Sequence, residues 1–251
     1  MARRKMSDRV HGLDNDPYHL VLLCENQKGY ENLCYLVSEA FLHGFYGKPR
    51  VDLELLEGHH EGLIALSACL AGAIPQALMN ENYDEAKRMA LELSRIFGPE
   101  HFYLEMQDHG IDKQRPVNQG LQRLARETGL PLVVTNDAHY LRREDADMQD
   151  VLLCIQTGKT VDDLNRLRFE TQEFYLKSEQ ELRQLFPGCD EAFDNTVKIA
   201  RMCNVDFTFH EYHLPAYPVP EGYTNEGYFR MLCEKGFQER YPDAPQEYRE
   251  R

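Results

Sequence analysis

Short apolar runs alternate with helical periodicity through the first 140 residues. The runs have the length of buried strands and lie at residues 18–24, 62–67, 102–106 and 131–135. Between them, apolar residues recur at steps of three and four, which predicts helices near 30–41, 73–79, 85–97 and 117–125. Strands that alternate with helices over short connections favour a parallel α/β sheet or barrel, covered on both faces.

The rest of the chain is predicted to be mostly helical. Helical patterns cover residues 143–157, 178–186, 190–203 and 225–240. A Pro-rich stretch from Leu214 to Pro220 predicts an extended connector and a boundary. The pattern therefore divides the chain into an α/β domain at 1–213, a linker at 214–224 and a helical extension at 225–251.

The charge balance limits how this chain can meet nucleic acid. Lys and Arg together number 28 and Asp and Glu number 42, which gives a formal net charge of −14. So acidic a chain does not hold a phosphate backbone by bulk charge. Contact with nucleic acid would need a local site or a metal ion.

Cysteine usage and hydropathy predict a cytosolic protein with no membrane segment. No apolar run approaches the roughly 18 residues of a membrane span, and no apolar signal-peptide core follows the basic start. The chain has 7 cysteines. An odd number without a C-x-x-C pair indicates reduced thiols rather than a disulfide framework.

Residues at the carboxyl ends of the predicted strands are the candidates for chemistry, because ligands of parallel α/β sheets gather there. Asp137 and His139 directly follow the run at 131–135. A carboxylate and an imidazole two residues apart in an extended turn can share one cation. The alternative is a helix cap beside a surface histidine.

Cys69 lies two residues past the run at 62–67. A thiolate suits a soft or borderline ion such as zinc, although a small cysteine that only packs is the alternative. Glu105, Asp108 and His109 end or follow the third run and form a reserve set, since turn and capping roles also explain them. Signatures of P-loop, dinucleotide-binding, α/β-hydrolase and zincin proteins are absent from the sequence.

Several segments, taken in order along the chain, form a recognisable set. In the first 140 residues these are Tyr18-His-Leu-Val-Leu-Leu-Cys-Glu-Asn26, Lys28-Gly-Tyr-Glu-Asn-Leu33, Gly62-Leu-Ile-Ala-Leu-Ser-Ala-Cys-Leu-Ala-Gly72 and Thr135-Asn-Asp-Ala-His-Tyr140. Further segments include Asp150-Val-Leu-Leu-Cys-Ile-Gln-Thr-Gly158, Glu173-Phe-Tyr-Leu-Lys-Ser178 and Tyr212-His-Leu-Pro215. In this order they resemble one family, the PHP (polymerase and histidinol phosphatase) domain of bacterial DNA polymerase III alpha subunits. The resemblance extends from about residue 16 to about residue 240.

The resemblance implies a distorted (β/α) barrel with a site for divalent metals, which we expect to be zinc, manganese or magnesium. Position by position, it implies that His19, Cys69, Asp137 and His139 are metal ligands. His19 precedes its apolar run, so its assignment depends on the resemblance alone. Some members of the family are metal-dependent 3′–5′ exonucleases, whereas others have lost the ligands and serve as scaffolds.

The family's opening ligand motifs have no counterpart in this sequence, and four of nine ligand positions remain. We therefore expect an internal fragment: a partial barrel lacking its first strands, with residues 225–251 beginning the polymerase core region. The catalytic aspartates of nucleotidyl transfer would lie outside the chain, and the isolated chain would be inactive.

The resemblance also implies a role for the parent protein, DNA-directed DNA synthesis in chromosomal replication. Such a parent would use DNA, dNTPs and magnesium. It would act with a sliding clamp, a proofreading subunit and a clamp loader. The alternative for this segment is a structural and interaction module of the replicase with no chemistry of its own.

Overall fold

The computed structural model describes residues 1–212 and 214–250. Contacts within the chain define two units, Met1–Asp206 and Phe207–Arg251. The predicted boundary between residues 213 and 214 falls inside the second unit, and residue 213 lies outside the described residues. That boundary stays a prediction.

The first unit alternates strands and helices as the sequence predicts. Its strands are β1 (Val21–Cys24), β2 (Leu63–Leu66), β3 (Phe102–Met106) and β4 (Leu132–Val134). Its longer helices are α1 (Gln27–Leu42), α4 (Tyr83–Phe97), α5 (Gln114–Thr128), α6 (Ala146–Thr157) and α8 (Asp190–Met202). Three shorter helices are α2 (Leu53–Gly58), α3 (Ala73–Met79) and α7 (Glu179–Leu185). Only α2 was not predicted, because its 6 residues are too few to show a period.

The strands form one sheet in the order β1-β2-β3-β4. β2, β3 and β4 are parallel, as expected, but β1 pairs antiparallel with β2, so that Val21 faces Leu66 and Cys24 faces Leu63. The expectation of a wholly parallel sheet is therefore wrong at β1. The reason is the connection, which contains two helices and returns the chain to the end of β1 that it left; there the Glu25 amide donates to the Gly62 carbonyl over 2.8 Å.

Two glycines make this return possible. A Cβ atom on Gly29, in the first turn of α1, would lie 1.8 Å from the carbonyl oxygen of Gly62. Gly62 itself has a φ of +71°, in the left-handed region that favours glycine. The start of α1 and the start of β2 can therefore approach only as backbone against backbone.

The sheet separates two apolar clusters, as alternation along β3 shows. Phe102, Leu104 and Met106 belong to the larger cluster, which includes buried residues of α3, α4 and α5. Tyr103 belongs to the smaller one, with Ile199 of α8. α8 also covers the outer edge of β4, where the Asn195 side-chain amide donates to the Leu132 carbonyl over 2.8 Å.

A buried arginine holds parts of the N-terminal segment against the loop that follows α1. The Arg50 side chain is 1% exposed. Its guanidinium donates to the carbonyls of Gly44, Asp14, Met6 and Asp8 over 2.7 to 3.0 Å. Each of these carbonyls belongs to a loop, so one charged group satisfies loop backbone that no strand pairs.

The second unit contains α9 (Asn225–Arg240) and α10 (Gln246–Glu250). Residues 214–220, predicted as an extended connector, lie in neither helix nor strand. None of the residues in α9 is buried within the described chain.

Across residues 1–212 and 214–250, no helix is both long and apolar enough to span a membrane. The mixed α/β class predicted from the sequence is confirmed.

Substituting Gly29→Ala should destabilise the first unit by about 2 kcal/mol or more, because the new methyl group would meet backbone that cannot rotate away. Gly58→Ala is the matched control, since a Cβ there meets nothing within 4 Å. Urea denaturation followed by circular dichroism measures both. Equal midpoints for the two variants would contradict the argument.

Candidate functional site

The antiparallel β1 brings His19 to the sheet edge where β2, β3 and β4 end. The amide of His19 donates to the Ala71 carbonyl over 3.0 Å, in the loop that follows β2. Its Nδ1 atom lies 3.5 Å from the Sγ atom of Cys69 in the same loop. Two predicted ligands that are 50 positions apart in sequence are therefore in direct contact.

A cleft of about 620 Å³ lies at this edge and contains most of the predicted site. His19, Cys69, Glu105 and Asp137 all line it. Gln107 and Thr135, which sequence reasoning did not single out, line it as well. Both follow the strand-end rule that selected the other residues, since Gln107 follows β3 and Thr135 follows β4.

The electrostatics of the cleft oppose a free thiolate. Burial is the main cause that raises the pKa of the Cys69 thiol, and the carboxylates of Asp137 and Glu105 raise it further. The thiol is therefore protonated at neutral pH when no cation is near. A bound cation would reverse this balance, because it favours the thiolate and both carboxylates together.

Glu105 is the buried carboxyl group of the cleft and is 5% exposed. Its Oε2 atom accepts from the Ala68 amide over 3.0 Å, and its Oε1 atom accepts from the Gln107 side chain over 2.9 Å and the Thr135 hydroxyl over 2.5 Å. Burial raises the pKa of Glu105, while these three hydrogen bonds lower it in part. The group thus connects the ends of β2, β3 and β4.

Two residues beside these strand ends have left-handed backbone. Ala68 has a φ of +65° and Asp137 a φ of +46°. Residues with a Cβ atom rarely adopt this conformation, and such strain persists only where surrounding contacts enforce it. Here Ala68 precedes the predicted ligand Cys69, and Asp137 is itself a predicted ligand.

Gln107 has an unusual hydrogen-bonding state. Its side-chain nitrogen donates to Glu105 and Thr135, but its Oε1 atom is buried without a partner in the part of the chain that the structure describes. A buried carbonyl oxygen that lacks a donor is a costly feature for a folded protein.

His139 does not line the cleft. Its amide donates to the Phe174 carbonyl over 2.8 Å, and its ring lies 4.8 Å from the Phe169 ring and 5.5 Å from the Phe174 ring between centroids. Its Nδ1 atom donates to the Asp137 carbonyl over 2.9 Å. Because Nδ1 donates this hydrogen bond, Nε2 is the ring nitrogen that is left to bind a metal.

His109 and Asp108 also lie outside the cleft lining. His109 is 1% exposed; its Nε2 donates to the Asn136 carbonyl over 2.7 Å and its Nδ1 accepts from the Gln114 amide over 2.8 Å. Burial is the main cause that lowers its pKa, so the ring is neutral with both nitrogens occupied. Asp108 forms a turn by accepting from the Gly110 amide over 2.9 Å.

The donor set of the cleft suits a divalent metal, but a complete ligand cluster is not assembled. Imidazole, thiolate and carboxylate are the ligand types of zinc and related ions. Yet among residues 1–212 and 214–250 no three His, Cys, Asp or Glu side chains are close enough to hold one ion. The ligand set His19, Cys69, Asp137 and His139 stays a prediction.

Comparison with known proteins shows what this part of the chain is similar to. Residues 5–109 match the PHP domain family, a range that includes His19, Cys69 and Glu105. The resemblance found in the sequence is therefore confirmed over this range.

Over nearly its whole length, the chain is also similar to the alpha subunit of bacterial DNA polymerase III. It is 47% identical to that protein from Thermus aquaticus over 250 residues and 45% identical to that from Treponema pallidum over 242, in each case covering 96% of this chain. The Mycobacterium tuberculosis protein is 36% identical over 93% of the chain. The chain spans about a fifth of the length of these curated relatives.

His109 should make stability depend on pH. Its folded-state pKa lies below the ordinary value of 6.5, so the unfolded chain takes up the proton first. The stability that neutral His109 contributes is complete above that value and is lost as the pH falls below it. The free energy of unfolding of the wild type should therefore exceed that of His109→Gln by less at pH 5.5 than at pH 7.5. Urea titrations at both pH values measure it, and a constant difference would disprove the assignment.

Proposed function

We propose that this chain is the metal-binding, phosphoesterase-like segment of a replicative DNA polymerase alpha subunit, with a 3′–5′ exonuclease role. The observation that carries the proposal is the direct contact of His19 with Cys69 in a cleft that Asp137 also lines. The names of the relatives support the replicative context. Within the longer protein, the segment would remove nucleotides from a DNA 3′ end.

His19, Cys69 and Asp137 would hold the metal from the cleft, and His139 would offer its free Nε2 atom. A bound divalent ion would activate water and neutralise charge on the phosphoryl oxygens. Zinc, manganese and magnesium are the candidates, with the thiol favouring zinc.

Other residues of the cleft would bind the DNA or hold the strand ends in place. Lys48 also lines it, and its ammonium group can pair with a backbone phosphate. That local positive charge matters in a chain whose net charge is −14, because bulk attraction to DNA is lacking. Thr135 and Glu105 would hold the ends of β3 and β4 together rather than contact DNA.

The whole protein would be a DNA-directed DNA polymerase, which acts on DNA and dNTPs with magnesium in a separate active site. Its partners would be the sliding clamp, the clamp loader and the proofreading subunit. The polymerase assignment follows the names of the relatives, of whose length the chain spans about a fifth. The partner subunits are what the family resemblance implies.

The test is an exonuclease assay on the longer polypeptide proposed to contain this chain, with a 3′-labelled DNA primer and Mn²⁺ or Zn²⁺. Asp137→Asn should lower the rate about 100-fold or more, because it removes a proposed ligand. Asp162→Asn, the same change at an exposed turn residue, should leave the rate unchanged. Equal rates for wild type and Asp137→Asn would reject the proposal.

A second candidate function, an interaction scaffold, is favoured by the surface of α6. Met148, Val151, Leu152 and Ile155 lie on one face of this helix and are all exposed. Arg166 fixes the following loop to the helix through two contacts with Asp150, of 2.5 and 2.7 Å. An ordered apolar face of this kind is typical of a protein-binding surface.

If this face binds the proofreading subunit, Leu152→Asp and Ile155→Asp should each weaken that binding about tenfold or more, because a carboxylate would be desolvated at the interface. Asp137→Asn should bind as wild type does. Calorimetry with the purified proofreading subunit of the same organism measures this. Unchanged affinity in both helix variants would exclude α6 as the docking surface.

A further inference from the structure

We propose that Glu105 is a positioning residue, which sets the separation of Cys69 and Asp137 in the candidate metal centre without binding the metal itself. The inference rests on the proposed metal-binding function and adds a residue to it. Glu105 lies on β3, between the strands that carry the two predicted ligands.

The contacts of Glu105 reach both ligand loops. Toward β2, its Oε2 atom accepts from the amide of Ala68, the residue before Cys69, over 3.0 Å. Toward β4, its Oε1 atom accepts from the hydroxyl of Thr135, two residues before Asp137. The backbone adds a second link toward β2, because the Glu105 amide donates to the Ser67 hydroxyl over 2.8 Å.

The left-handed conformations at Ala68 and Asp137 explain why such a link is needed. Each costs of the order of 1 kcal/mol or more in an L-residue, so each loop would relax if its contacts were lost. Relaxation at Ala68 would turn Cys69, and relaxation at Asp137 would turn its own carboxylate. A single carboxylate that accepts from both sides opposes both movements.

The same contacts explain why Glu105 is not itself a ligand. A carboxylate offers about four acceptor positions, and three of those of Glu105 are occupied by Ala68, Gln107 and Thr135. The side chain is also 5% exposed. Its carboxyl group is therefore occupied by hydrogen bonds within the protein.

This role predicts that Glu105→Gln retains the Zn²⁺ affinity that Glu105→Ala loses. A glutamine can present its oxygen to the Ala68 amide and its nitrogen to the Thr135 hydroxyl, which can accept. Gln107 can then turn its amide to present its unpartnered Oε1 atom to the new nitrogen. All three links survive without the charge, whereas a direct ligand would require the carboxylate.

The experiment is Zn²⁺ titration calorimetry at pH 7.5 on the 251-residue chain, with Cys69→Ser and Asp137→Asn defining the specific site. Glu105→Ala should bind Zn²⁺ at least about tenfold more weakly than wild type, the usual loss for a residue that orients ligands. Glu105→Gln should remain within about threefold. Circular dichroism melts establish that each variant is folded.

Thr135→Val provides a second route if Glu105→Ala does not fold. It removes the Glu105 link toward β4, together with the hydrogen bond that Thr135 accepts from Gln107. Asp137→Asn should therefore cost less Zn²⁺ affinity in the Thr135→Val background than in wild type. Additive losses would overturn the inference.

The remaining outcomes separate the two proposals. A wild-type chain without specific Zn²⁺ binding overturns the proposed function, and the inference with it. Wild-type binding with equal affinity in Glu105→Ala overturns the inference alone. A loss in Glu105→Gln as large as in Glu105→Ala would make Glu105 a ligand and also overturn it.

Discussion

The reversed direction of β1 is the constraint on which the candidate site depends. In a parallel strand, His19 would lie at the opposite edge of the sheet from Cys69 and Asp137, because it precedes its strand and they follow theirs. Antiparallel pairing places the start of β1 beside the ends of the other strands. The close approach of Gly29 to Gly62 makes that pairing possible. Two residues without side chains thus determine where an imidazole far from them can act.

The cleft combines a buried acid with a thiol, and neither is stable there as an anion without compensation. Burial raises the pKa of both Glu105 and Cys69, and each charge would oppose the other. Three hydrogen bonds partly offset this for Glu105, and hydrogen bonds from the backbone at Ala71 and Cys69 partly offset it for the thiol. The site is therefore organised by hydrogen bonds before any cation binds, which lowers the cost of assembling a charged centre.

Periodicity was enough to locate the strands and the longer helices of the first unit, since burial on one or both faces leaves a regular apolar pattern. It did not reveal the direction of β1. The connection from β1 to β2 contains two helices, and the second, α2, has only six residues and no clear period. In the site, the strand-end rule found Cys69, Glu105 and Asp137, but it also selected Asp108 and His109, which serve the loop and the core. His19 required family resemblance, and the orientation of His139 toward Phe169 and Phe174 depends on tertiary contacts that no local pattern encodes.

The guanidinium of Arg50 joins stretches of chain that have no regular structure of their own. Because one side chain holds the backbone at Met6, Asp8, Asp14 and Gly44, those stretches gain or lose order together. We therefore expect these stretches to open together on heating, since they share hydrogen bonds to one guanidinium. Losing this one side chain would leave four loop carbonyls without their donor at the same time.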